Sequence, residues 1–329
     1  MHRVNVIRAF NEAIREEMSR DPHVVLLGED VGVGVFGTSK GLLEQFGSDR
    51  IRNTPISEGT VVGTAVGAAM TGLRPVIDLM YMTFSYMAMD ALVNQAAKFP
   101  YMTGGQVLVP LTAIGISGGG HAGAAQHSEN PYGMFMGVPG LKVAVPSDPY
   151  TAKGLMKAAI RDDNPVLVFH ESQLNRLRME IPDEDYIYSL GKARVVRKGR
   201  DVTVAAIGHI TQKALNASAV LDKSGISVEV VDILTLSPLD IETLVTSVKK
   251  TRRLVVCDDT PEYGGASSGI LAAILPEIWE NLDAEPRVLG RQMVPMPFNR
   301  FLEDEVTLGI PRIIANVTKL VKRGELDAE

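Results

Sequence analysis

The chain has 329 residues, 45% of them hydrophobic and 22% charged, which is the balance of a globular protein long enough to bury a core without disulfide or metal staples. A formal net charge of −6, spread along the chain, argues against a nucleic-acid-binding surface. Cys257 is the single cysteine, so no internal disulfide can form, and a reducing compartment fits. Residues 1–18 resemble neither a signal peptide nor an Arg-rich transit peptide, and no apolar run reaches the roughly 18 residues of a membrane span, so a cytoplasmic location is expected.

Apolar residues at Val6, Ala9, Phe10, Ala13, Ile14 and Met18 have helical spacing and predict a first helix within residues 4–21. Residues 24–27 form a short β-type run stopped by Gly28. Residues 59–73, rich in Gly and Ala, predict a helix whose glycines permit close packing, since each costs about 1 kcal/mol relative to Ala. A strand over 75–79, a helix over 86–97, a β-run over 108–116 and a strand over 141–145 follow. Ser147 or Asp148 is positioned to cap a helix reaching Ile160, with Pro149 in its first turn. Residues 165–169 are the next strand. Residues 171–190 are charged and aperiodic and read as a linker. Beyond it, strands (202–207, 228–231, 254–257, 287–289) alternate with helices (211–224, 241–249, 267–282, 311–323). Such alternation implies a mostly parallel α/β sheet with helices on both faces, and two domains are expected, residues 1–185 and 186–329.

Three stretches can carry chemistry. Thr54-Pro55-Ile56-Ser57-Glu58-Gly59 puts an acid where a strand meets a helix, the edge at which open α/β sheets bind ligands. Taken alone, Glu58 is equally an acid in a first helical turn. Gly118-Gly119-Gly120-His121-Ala122-Gly123-Ala124-Ala125-Gln126-His127-Ser128 has so little side-chain bulk that a ligand could approach its backbone, yet it also suits a plain surface loop. No carboxylate or cysteine stands at metal-ligand spacing from its histidines. Ala159-Ile160-Arg161-Asp162-Asp163-Asn164-Pro165 is either a helix end turning into a strand or an oxygen-rich cation loop. There is no Walker loop, Gly-x-Gly-x-x-Gly fingerprint or Gly-x-Ser-x-Gly elbow. Cys257, on an apolar strand, reads as core.

The runs NTPISEGTVVGTAVGAAMTGLRPV, GAAQHS, PGLKVAVPSDPYTAKGLMKAAIRDDNPVLVFHE, GISVEVVDILTLSPLD and VPMPFNRFLEDE together resemble the beta subunits of pyruvate, acetoin and branched-chain 2-oxo-acid dehydrogenase complexes, over essentially the whole chain. The resemblance implies a transketolase-like architecture: a pyrimidine-binding domain with a parallel sheet, then a smaller α/β C-terminal domain. It implies thiamine diphosphate as cofactor, with the diphosphate and Mg2+ held by a Gly-Asp-Gly motif of an alpha subunit. That motif is absent here, so an α2β2 heterotetramer is expected, serving a dihydrolipoyl acyltransferase core. By the same resemblance, Glu58 matches the catalytic glutamate on the aminopyrimidine, which promotes the imino tautomer needed to deprotonate the thiazolium carbon. His127 matches the histidine facing the reacting carbonyl and assisting reductive acylation of the lipoyl group. Phe84 matches an aromatic packed on the aminopyrimidine, and Glu29 an acid near the cofactor. Leu111, Ala159, Ile160, Asp162 and Asn164 match a potassium loop. The implied reaction is oxidative decarboxylation of a 2-oxo acid, or acetoin cleavage, with acyl transfer to the lipoyl arm. Half of a split transketolase-type enzyme and a non-catalytic scaffold are the alternatives. Two stretches depart from the family pattern: Glu129-Asn130-Pro131 after the histidine, and Glu262-Tyr263 before Gly264-Gly265. His121 has no counterpart.

Overall fold

The structure is a computed structural model describing residues 1–326, and it divides into two compact units. The first comprises Met1–Gly118 and Met134–Leu190; the second comprises Gly119–Gly133 and Gly191–Glu329. The loop carrying His127 thus groups with the C-terminal half of the chain.

In the first unit six strands pair in parallel, in the order Lys142–Ala144, Val166–Glu171, Thr112–Ser117, Arg74–Tyr81, Val24–Gly28, Ile51–Asn53. The strand Val24–Gly28 is buried along its full length, as a central parallel strand covered on both faces must be. The expected first helix is Val6–Arg20; the Asn5 side chain accepts from the Arg8 N–H at 3.0 Å, and the helix buries Val6, Ala9, Phe10, Ala13, Ile14 and Met18. It packs on the helix Pro149–Arg161, whose N-cap is Asp148 with a reciprocal Thr151 bond, as the Ser147/Asp148 reading anticipates.

Four local expectations need correction. The segment read as a linker forms the strand Arg178–Ile181, antiparallel to His2–Asn5, a pairing between stretches far apart in sequence and too short to show a period. The helix expected over 86–97 is a 3-10 segment, Met82–Ala88, followed by a π-type segment, Asp90–Ala96, in which the Asp90 carboxylate accepts from both Asn94 (2.8 Å) and Gln95 (3.2 Å). The β-run over 108–116 pairs only at Thr112–Ser117, after Pro110, which has no N–H to donate. In the helix Glu58–Met70 only Gly59 has a close neighbour, the Met87 carbonyl; a methyl at Gly63 or Gly67 would meet nothing, so those two glycines are not packing devices within this chain.

The second unit has a five-stranded sheet in the order Arg287–Arg291, Leu254–Pro261, Val202–Ala206, Val228–Asp232, Arg194–Arg197. The first four run parallel, and the last, unmarked in the sequence, is an antiparallel edge strand. The helices Ile210–Leu221, Ile241–Thr251, Ala266–Ile278 and Ile310–Leu326 correspond to the four expected. Cys257 is fully buried and burial pushes its thiol up, which makes it an inert core residue. Among the described residues no helix is long and apolar enough to cross a membrane.

Glu17 is fully buried between the two packed helices of the first unit. It takes a bidentate pair from Arg161, at 2.7 and 2.9 Å, and a third bond from Arg20 at 2.8 Å. A Glu17→Ala variant leaves those cations facing a void, and urea titration should show the unit less stable by about 3 kcal/mol.

Candidate active site

The strands Val24–Gly28, Ile51–Asn53 and Arg74–Tyr81 end side by side, and a cleft opens at their carboxyl ends. Glu29, Glu58, Asp78 and Met80 line it, with Val61 and Leu79 as apolar wall. The structure therefore brings Glu58 and Glu29 to one place. Glu58 is the first residue of its helix, after Ser57, whose hydroxyl donates to Thr60 Oγ1 at 2.9 Å. Gly28 has no substitute here, because a Cβ would lie 2.4 Å from the Asp78 carbonyl oxygen.

Asp78 and Met80 were hidden within what the sequence shows as an ordinary strand. Burial pushes the Asp78 carboxyl above its usual range, against bonds from the Thr38 hydroxyl (2.7 Å) and the Met80 N–H (2.9 Å). Met80 needs that bond: its φ is +59°, a left-handed conformation that side chains disfavour, and it lines the cleft. The one available signal was an acid inside an apolar strand. No basic side chain lines the cleft. Carboxyls beside an apolar wall offer hydrogen-bond acceptors to an aminopyrimidine ring; a diphosphate would find no cation in this lining.

Phe84 is half-buried in an edge contact with Tyr81 at 5.6 Å, and Tyr81 in turn meets Phe36 at 5.5 Å. It is not among the residues lining the Glu58 cleft.

Ala159, Ile160, Asp162 and Asn164 share one turn, and Leu111 lies beside the strand that follows it. The Leu111 carbonyl accepts from the Val166 N–H at 2.8 Å, and the Ala159 carbonyl from the Asp162 N–H at 3.1 Å. Arg74 spans the loop, donating to the Ile160 carbonyl (2.8 Å), the Asp162 carbonyl (2.6 Å) and the Asp163 carboxylate (3.0 Å). Burial raises the Asp162 carboxyl, but Lys142 and the Asn164 N–H outweigh it and hold it below the usual range.

His127 ends the short helix Ala124–His127, in the second unit, half-buried. Its Nδ1 lies 3.2 Å from the Gly123 carbonyl. A carbonyl only accepts, so Nδ1 is the donor in this bond. The departure at Glu129-Asn130 has a local role: Glu129 pairs with Arg291 (3.3 Å) and Asn130 donates to Asp259 (3.4 Å). His121 is exposed.

Residues 2–177 match the transketolase pyrimidine binding domain, and residues 191–313 the transketolase C-terminal domain. The beta subunit of acetoin:2,6-dichlorophenolindophenol oxidoreductase from Bacillus subtilis (strain 168) is 40% identical over 96% of this chain and 96% of its own length. The chloroplastic pyruvate dehydrogenase E1 component subunit beta-3 of Oryza sativa subsp. japonica is 39% identical over 97% of this chain and 82% of its own. A solved chain described as a split gene transketolase, inactive beta4 tetramer, aligns with a TM-score of 0.80 over 97% of this chain and 98% of its own; at 24% identity that likeness supports the fold alone. The chain belongs to the family of transketolase-like E1 beta subunits, which its acetoin and pyruvate dehydrogenase relatives represent.

Asp258, on the strand that also carries Asp259, is fully buried; burial pushes its carboxyl up from 3.8 to about 7, Asp259 adds to the rise, and Thr260 and Ser267 oppose it. Between those two values the folded chain holds a proton that the unfolded chain has lost, so stability falls as pH rises through this window. Melting curves from about pH 5 to about pH 8 should therefore show a decline in the wild type that Asp258→Asn flattens, the variant being the more stable at the alkaline end.

Proposed function

We propose that this chain is the beta subunit of a thiamine-diphosphate-dependent dehydrogenase acting on a 2-oxo acid or on acetoin, and that it is active only with an alpha subunit. The observation that carries the reading is the Glu58 cleft: Glu29, Glu58 and Asp78 meet at the strand ends beside Val61 and Leu79, with no basic side chain in the lining. Thiamine diphosphate, when bound, supplies the carbanion chemistry that cleaves the carbon–carbon bond beside the carbonyl. This chain's part is to hold the pyrimidine half. Glu58 holds a proton at the ring nitrogen, and Glu29, in the same cleft, supplies a second carboxyl close to it. Phe84 lies outside that lining and, through its edge contact with Tyr81, is assigned the aromatic side of the ring site on family resemblance alone. His127, whose Nδ1 is held by the Gly123 carbonyl, turns its ring to the substrate oxygen and assists transfer of the acyl group to a lipoyl arm from an acyltransferase core.

The diphosphate and its Mg2+ fall to the alpha subunit, since the chain has neither a Gly-Asp-Gly run nor a cation at the cleft. An α2β2 heterotetramer supplies both halves. Oxygens of Leu111, Ala159, Ile160, Asp162 and Asn164 would hold a potassium ion at the 159–164 loop. Arg74 and Lys142 already neutralise part of that loop, so the ion's role is structural.

Co-expressed with its alpha chain and loaded with cofactor, the wild type should release carbon dioxide from one member of a 2-oxo-acid panel, or acetaldehyde from acetoin. Glu58→Gln should lower turnover by about a thousandfold or more while size-exclusion chromatography still shows the heterotetramer, because an amide cannot hold the mobile proton. Silence of the loaded wild-type complex across the panel would overturn the reading. Exchanging potassium for choline should lower the melting temperature of wild type, and Asn164→Ala should remove that difference.

A further inference from the structure

The loop Gly119–Gly133 that carries His127 is built in a conformation its sequence does not favour. Ala122 and Ala124 have φ of +56° and +58°, a region where a Cβ collides with its own backbone and where single glycines are the usual occupants. Gly120 is at +91°. The Gly and Ala residues among 119–125 have no side chains with which to hold such a shape, and a restraint reaches them from outside the loop.

It comes from Glu303, about 180 residues downstream. Glu303 is 1% exposed, and its two carboxylate oxygens each accept one loop amide: Oε1 from Gly120 N–H at 2.8 Å, Oε2 from Ala122 N–H at 3.3 Å. Gly119 makes room for this approach, since a Cβ there would lie 2.8 Å from Oε1. The helix Arg300–Val306 presents the carboxylate rigidly: the Asn299 side chain accepts from Phe301 and Leu302 N–H at its start, and the Gln292 N–H donates to the Val306 carbonyl at its end. A buried carboxylate is costly without donors, and two aligned amides supply them. Beyond His127 the loop is tied again, by Glu129 to Arg291 and by Asn130 to Asp259. His127 stands between the two ties.

We infer that Glu303 is the positioning residue of the active-site histidine: its carboxylate clamps the Gly120 and Ala122 amides and so fixes where the His127 ring is presented. This rests on the reading of His127 given above. It makes the C-terminal unit part of the catalytic apparatus, not only a support for assembly.

The test uses the cofactor-loaded complex with its alpha chain. In Glu303→Gln one acceptor oxygen becomes an amide NH2 facing an N–H, so hydrogen exchange in the peptide spanning residues 119–127 should accelerate at least about tenfold. Turnover should fall between about ten- and a hundredfold, the scale of a misplaced catalytic group. In a His127→Ala background the same substitution should cost nothing further, because a residue acting only through the ring has no ring to act on. A merely structural role would lower turnover by the same factor in both backgrounds. Gly119→Ala, which displaces the carboxylate while keeping its charge, should reproduce both effects and serves where the first variant does not assemble. Unchanged exchange in these variants, or losses that multiply with His127→Ala, would overturn the inference. Accelerated exchange with a fully active His127→Ala would leave the clamp standing and remove the role given to the histidine instead.

Discussion

Parallel strands cannot be joined by tight turns, so each must leave the sheet at its carboxyl end and return through a long crossover. In the first unit this constraint leaves the ends of Val24–Gly28, Ile51–Asn53 and Arg74–Tyr81 adjacent, with three outgoing segments diverging from one point. Glu29, Glu58 and Asp78 are brought together by that divergence, although they are far apart in sequence. Crowding at the same point explains the unusual backbone there. Gly28 passes so close to the Asp78 carbonyl that no side chain fits, and Asp30 and Met80 are both forced to positive φ. The Thr38 and Met80 bonds to the Asp78 carboxyl hold this strained rim in one shape.

The charges on the two edges of that sheet are arranged in opposite senses. The cleft gathers carboxyls and has no basic lining, which suits a neutral aromatic amine and leaves an anionic tail unserved. The turn at 159–164 gathers carbonyls and carboxylates and meets them with Arg74 and Lys142. A chain that satisfies its acids in one loop and leaves the other cleft without a counter-charge is complete as a fold but incomplete as a site.

The alternation of β and α elements was legible because each element is long enough to show its period: the first helix, the capped helix after Asp148 and the four helices of the second unit all stand where their apolar spacing puts them. The elements that escaped are those whose stability comes from a distant partner. Arg178–Ile181 is a strand because His2–Asn5 lies beside it, and Arg194–Arg197 because Val228–Asp232 does. The π-type turn at Asp90–Ala96 depends on a carboxylate reaching residues four and five positions on, a geometry with no apolar signature. The site divides in the same way. Glu58 and Glu29 follow strand ends and could be placed from local pattern, whereas Asp78 sits inside a strand and Glu303 inside a helix, where an acid looks ordinary until its partners are known.

The histidine loop shows why such long-range groups are required. Small residues let a backbone approach a ligand, but they bring a large loss of conformational freedom on ordering and no side-chain contacts to offset it. The loop is tied to Asp259, Arg291 and Glu303, all more than a hundred residues later in the chain. Residues 119–133 lie far ahead of the rest of the second unit in sequence yet are tied to it, through the strand Leu254–Pro261, the strand Arg287–Arg291 and the helix Arg300–Val306.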